Sequence, residues 1–107
     1  MKKKIKRLKG FYMNRKSGHP SYVFSQKDKN TKSLGFTHNK NDKAPKEELT
    51  HNIDPNGKGK SFVKIKVENQ KVRDFRNIPE YKDYRIHRED LPIIVKIIEN
   101  DKKKSKH

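Results

Sequence analysis

Two histidines, His19 and His38, stand at the outer ends of two short apolar runs and are the first candidates for chemistry. Imidazole titrates near neutrality, so either could take or give a proton in general acid–base work. Read singly, each is equally an ordinary exposed residue at a loop end. The other three histidines are His51, His87 and His107, and no two of the five have the close spacing of a zinc site. The sequence therefore predicts no metal and no cofactor. Gly57-Lys58-Gly59-Lys60-Ser61 ends like a phosphate-binding P-loop, but Asp54 stands where that motif needs a glycine, and a strand rather than a helix is expected to follow. It reads as a flexible basic turn.

The cations are more telling. Arg15 and Lys16 lead into His19, and Lys58, Lys60 and Lys64 surround a later strand. With Tyr12, Tyr22, Phe36 and Phe62 they offer what single-stranded RNA wants, charges for the backbone and rings on which bases stack. Buried core is the competing use of those rings. Lys2, Lys3, Lys4, Lys6, Arg7 and Lys9 form a basic arm suited to a phosphate backbone.

The elements that must position these residues follow from the pattern. Tyr22-Val23-Phe24 and Phe36-Thr37 are β-branched or aromatic runs, and Lys27 to Lys32 carries turn-forming polar types. A hairpin there puts His19 and His38 at the same end. Gly10 to Met13 is a first short strand or an anchor, and Asn14 to Gly18 is a polar loop. Asn39 to Lys60 is long and irregular, with Leu49 and Ile53 as its buried points, joined by Ala44. In Ser61 to Glu68, Val63, Ile65 and Val67 alternate with charged residues, which predicts a single half-buried strand. Pro79 forbids a long helix between Asn69 and Tyr84, so a short irregular piece and a brief strand at Tyr84 to Ile86 are expected. A helix capped by His87 or Asp90 then runs to Asn100, with Leu91, Ile94, Val95 and Ile98 on its apolar face. The fold class is α+β: a small, curved antiparallel sheet with a C-terminal helix. Residues 1–9 are a basic arm, 10–100 one domain and 101–107 a basic tail.

Composition narrows the function. The 107 residues carry 29 Lys and Arg against 13 Asp and Glu, a net charge of +16, with only 28% hydrophobic residues. Such self-repulsion brings nothing to an enzyme of small neutral substrates, whereas a polyanion relieves it. Nucleic acid is the expected partner, RNA ahead of DNA. An anionic membrane would want an amphipathic helix beside the basic cluster, so no membrane partner is expected. No cysteine is present, which excludes disulfides and thiolate metal sites. No signal-like or membrane-length apolar stretch is visible, so a cytoplasmic protein is expected.

Gly18-His19-Pro20-Ser21-Tyr22-Val23-Phe24 after a basic loop, Gly35-Phe36-Thr37-His38 and Ser61 to Ile65, with the capped helix from His87 to Asn100, resemble the MazF/PemK-like toxin family. The related ToxN-type ribonucleases share its fold. The resemblance implies an SH3-like barrel and a metal-independent endoribonuclease acting on single-stranded RNA. It implies that Arg15 stabilises the transition-state phosphorane, that Thr37 positions the scissile phosphate, and that His19 or His38 is the acid or base. It also implies an acidic antitoxin as partner. Metal-free RNA cleavage needs a base, a cation on the phosphate and an acid for the leaving oxygen, and these residue types can supply them. The sequence departs from the family in the polarity of Asn39 to Lys60 and in its extreme charge. The alternative is a non-catalytic nucleic-acid-binding accessory or inhibitor of a phage or mobile element, with a ribosome-associated basic protein as a third reading.

Overall fold

A computed structural model describes residues 6–104. The arm residues Lys2, Lys3 and Lys4 lie outside the described residues. The β2–β3 hairpin is the centre of the structure. Strand β2 (Pro20–Lys27) and strand β3 (Asn30–Thr37) pair from Ser21↔Gly35 to Lys27↔Asn30. The turn between them is only Asp28-Lys29, with Asp28 in the left-handed region at φ 55°. The polar connector expected from Lys27 to Lys32 is therefore mostly strand, because Thr31 and Lys32 find ladder partners on both sides. A bulge at Phe24 interrupts β2 and adds to the twist.

Strand β1 (Gly10–Asn14) flanks β2, and a short strand β7 (Phe75–Arg76) flanks β1. On the other side of β3 the chain pairs twice. Strand β5 (Phe62–Lys64) meets Phe36 and Thr37, and strand β6 (Glu68–Lys71) meets Asn30 to Ser33. Strand β4 (Lys46–Glu48) sits outside β5. The result is one open antiparallel sheet of seven strands among the described residues.

The single strand expected over Ser61 to Glu68 is two strands. From Phe36 to Ser33 is three steps on β3, whereas the partners Val63 and Glu68 lie five apart. The two extra residues bulge out, and Ile65 is 42% exposed instead of buried. The strand expected at Tyr84 to Ile86 is also absent. That segment is irregular and is held by backbone bonds from Tyr84 N to Tyr81 O and from Arg85 N to Ile53 O.

Tyr22 pairs with both Phe11 and Leu34, so these three share one face of the sheet. The apolar core grows on that face. Phe11, Leu34, Phe36, Leu49, Ile53, Val63 and Val67 meet Ile94 and Ile97 of helix α1 (Leu91–Lys104). Phe11 is its aromatic hub, 5.3 Å from the rings of both Tyr22 and Phe36 and 5.9 Å from Tyr84. A 3-10 turn at Arg88–Asp90, begun by His87, feeds α1, and Pro92 is tolerated in the first turn. The helix uses a narrower face than its pattern suggests. Leu91 and Val95, expected inside, are 46% and 48% exposed. The helix runs on to Lys104, through the first residues of the segment expected as a tail.

The opposite face is buried by curling. A single 3-10 turn, Val72–Asp74, carries the chain from β6 at one margin of the sheet to β7 beside β1. This is possible only if the sheet coils enough to bring β1 and β6 close. Asn14, Ser21, Thr31, Ser33 and Thr37 are buried on that concave side. Val23, Phe62 and Phe75, directly opposite Ser33, Thr37 and Asn14, are buried there too, so this interior is mixed polar and apolar.

Candidate nucleic-acid interface

The register places cations and amides in rows. Lys27, Asn30 and Lys71 are directly opposed across β2, β3 and β6, and so are Ser25, Lys32 and Asn69. Positions two apart share a face, so all six project from the same side of the sheet, beyond the end of α1. An open groove of about 630 Å³ follows these rows and is also lined by Lys16, Arg73 and Asp74. Five cations and one carboxylate therefore border one concavity, and no aromatic ring lines it.

Local bonds set the groove's charge. Lys32 Nζ lies 3.4 Å from Asp101 of α1, and Lys16 Nζ lies 3.9 Å from Asp74. Lys71 donates to Asn30 Oδ1 at 2.5 Å, which aligns it without neutralising it. Lys27 and Arg73 form no ion pair among the described residues. Gln26 extends the array. Its amide donates to the Lys6 carbonyl at 2.8 Å and accepts from Leu8 N at 2.9 Å, and its backbone carbonyl accepts from Arg7 Nη1 at 3.2 Å. Arg7 is thus fastened beside β2, one residue from Lys27.

The residues singled out from the sequence fall into two places. Arg7 and Lys16 lie at or beside this groove. Lys58, Lys60 and Lys64 belong to the other end of β3, roughly 15 Å away at about 3.3 Å per residue. Lys60 is paired with Glu48 at 2.8 Å, and Lys58 is exposed in the loop before β5. Lys64, half-buried, runs beside Gly35, where an added Cβ would come within 3.2 Å of its Cδ. The Asp42 carboxyl is held below its usual range, chiefly by the Ala44 N–H bonded to it, with Lys64, Lys46 and His19 adding attraction.

The β2–β3 ladder ends at Ser21↔Gly35, so His19 lies in the bend before β2, while Thr37 pairs with Phe62 of β5. Arg15 is exposed in the adjoining turn, its backbone N–H bonded to Asp74 O at 2.7 Å. Thr37 is only 1% exposed, and its hydroxyl accepts from Asn39 N at 3.1 Å. His38 points elsewhere, with Nε2 3.1 Å from Asn52 Oδ1. The structure thus sets Arg15 and His19 in the loop between β1 and β2 and Thr37 at the end of β3, buries the threonine and turns His38 toward the loop of β5.

Of the rings considered for base stacking, Phe36 and Phe62 are buried, and Tyr22 packs against Phe11. Tyr12 is half-buried, with its hydroxyl accepting from Lys9 N. The groove cations that sequence reasoning missed are Lys27, Lys32, Lys71 and Arg73. Only the strand register that aligns them could have singled them out. Among the described residues no helix is long and apolar enough to cross a membrane. No family model matches the chain, and no curated protein or solved structure is significantly similar to it.

Proposed function

We propose that the protein binds nucleic acid through the phosphate backbone, with the β2–β3–β6 groove as the contact surface. The observation that carries this reading is the convergence of Lys16, Lys27, Lys32, Lys71 and Arg73 on one concavity, with Asp74 in its lining and Asp101 paired to Lys32 as the acidic groups against them. Phosphates entering it displace condensed counterions, and the amides of Asn30 and Asn69 can donate to phosphate and sugar oxygens. Since no ring lines the groove, recognition is of backbone rather than base. The strand path, from β6 through one 3-10 turn to β7 beside β1, supports an SH3-like barrel left open at β4 and β5 as the scaffold.

A second reading, a metal-independent endoribonuclease of MazF/PemK type, is favoured by one observation. Arg15 and His19, a cation and an imidazole, share the short loop between β1 and β2 with Lys16 of the groove. One experiment separates the two. Labelled single-stranded RNA and DNA are titrated with the protein across a salt series in EDTA, and the RNA is then examined for cleavage. Backbone binding gives affinity that falls steeply with salt, on intact RNA. Discrete cleavage in EDTA would replace it with the enzymatic reading, and salt-insensitive or absent binding would remove both.

A further inference from the structure

Far from the groove, the fold assembles a group of donors that the sequence keeps apart. His51, His87 and Glu89 each offer one ligand atom, and the three atoms lie within 4.8 Å of one another. The two imidazoles stack at 3.6 Å with an interplanar angle of 8°. From these contacts we infer that His51, His87 and Glu89 form a binding site for a divalent transition cation of the zinc type.

The protonation pattern is fixed by neighbours. Asp90 is fully buried, and its Oδ1 accepts from both the backbone N–H and the hydroxyl of Thr50, each at 2.8 Å. Having given its only hydrogen to Asp90, the Thr50 hydroxyl must accept from His51 Nδ1, 2.9 Å away. The lone pair of His51 is therefore on Nε2. His87 Nδ1 accepts the backbone N–H of Glu89 at 3.1 Å, which makes Nδ1 its lone-pair nitrogen. His51 presents a free lone-pair nitrogen, His87 must give up its Glu89 N–H bond to offer one, and the Asp90–Thr50–His51 relay is the kind of outer support that orients ligating histidines.

Asp90 also accepts from His51 N at 3.1 Å. One buried carboxylate thus ties the segment bearing His51 to the turn bearing His87 and Glu89, so the donors are held together before any ion arrives. Tetrahedral coordination at about 2.0–2.1 Å puts donor atoms roughly 3.3 Å apart, closer than the 4.8 Å within which the donors lie here, so the side chains must draw in. It turns the rings out of their stack and exchanges the His87 cap for a metal bond. Two imidazoles and a carboxylate suit zinc and its neighbours rather than magnesium or calcium. An adjoining cleft of about 330 Å³, bordered by Asn52, Asp54 and Arg85, leaves the remaining coordination position open to water or an anion.

The test uses the full chain, stripped with chelator and titrated with Zn²⁺ by calorimetry, and with Co²⁺ followed by visible absorption. One ion per chain is expected, with the Co²⁺ spectrum of a tetrahedral or five-coordinate site. His51→Gln and Glu89→Gln, both at exposed positions, should each weaken binding at least about 10-fold, as should the outer-support change Thr50→Val. His38→Gln should leave it unchanged. Absence of binding below millimolar Zn²⁺ overturns the site. So does binding that His51→Gln and Glu89→Gln leave intact, with the circular dichroism of each variant showing that it is folded.

Discussion

Asn14 and Gln70 exchange two hydrogen bonds, Nδ2 to Oε1 at 2.6 Å and Nε2 to Oδ1 at 3.0 Å, although β2 and β3 stand between their strands in the sheet. This amide pair is the clasp of the curl. Asn14 Oδ1 also accepts Lys16 N at 3.0 Å, so the same side chain shapes the turn that delivers Lys16 to the groove. Leaving a buried amide without its partner costs about 1–3 kcal/mol. Asn14→Leu and Gln70→Leu should each lower stability to urea by that amount. The double variant should lose less than the sum, with a coupling of about 0.5–3 kcal/mol. Strict additivity would mean that the two amides do not hold the curl together.

Ser33 makes the opposite case. Its hydroxyl is fully buried on the concave side and has no hydrogen-bond partner among the described residues. Removing an unsatisfied buried hydroxyl returns its desolvation cost, so Ser33→Ala should stabilise the protein by about 1 kcal/mol. A fall in the unfolding midpoint would show that this hydroxyl is satisfied after all.

Groove cations should differ according to their partners. Lys27 and Arg73 form no ion pair among the described residues, whereas Lys32 and Lys16 each face a carboxylate. Lys27→Gln and Arg73→Gln should each reduce the slope of log affinity against log salt by about 0.7–0.9. Lys58→Gln, at the other end of β3, should change it little. Anisotropy titrations at three or more salt concentrations read both effects, and equal slopes for all three variants would disperse the interface over the whole surface.

Tyr81 and Tyr84 stack at 4.6 Å beside the core, and burial raises the phenol pKa of each above its ordinary value, with nearby acidic groups adding to the effect. A raised folded-state pKa means that the neutral phenol is favoured by folding. The contribution is therefore complete below about pH 10, the unfolded value, and is lost as pH climbs through the folded values. The melting temperature should decline above pH 10, and less so in the double variant Tyr81→Phe, Tyr84→Phe. Scans from pH 8 to 12, with phenolate absorbance recorded in parallel, check both halves of the argument.

How far the sequence could be read depended on whether a feature was local. The β2–β3 hairpin was legible because Tyr22, Val23, Phe36 and Thr37 carry strand chemistry on either side of polar turn residues. The capped helix was legible from His87 and the isoleucines of α1, whereas Asp90, the other expected cap, gives its carboxylate to Thr50 and His51. Ile65 misled because perfect alternation says nothing about a bulge imposed by the partner strand. Leu91 and Val95 misled because an apolar stripe is broader than the face that a thin core can cover. The His51–His87 pair was invisible, since 36 positions separate residues that only the buried Asp90 draws together. The groove shared that fate. Lys27, Lys32 and Lys71 look like scattered surface charges until three strands set them in register.

The single 3-10 turn between β6 and β7 also dictates an order of events. Strand β1 cannot acquire its outer neighbour until Phe75 and Arg76 exist, some sixty residues further along the chain. Closing so long a loop is entropically slow, whereas the two-residue turn at Asp28-Lys29 closes at once. During synthesis the hairpin should therefore form first and the β1–β7 seam late. Until then one margin of the nascent sheet lies open, an unpaired edge on which another copy can add a strand.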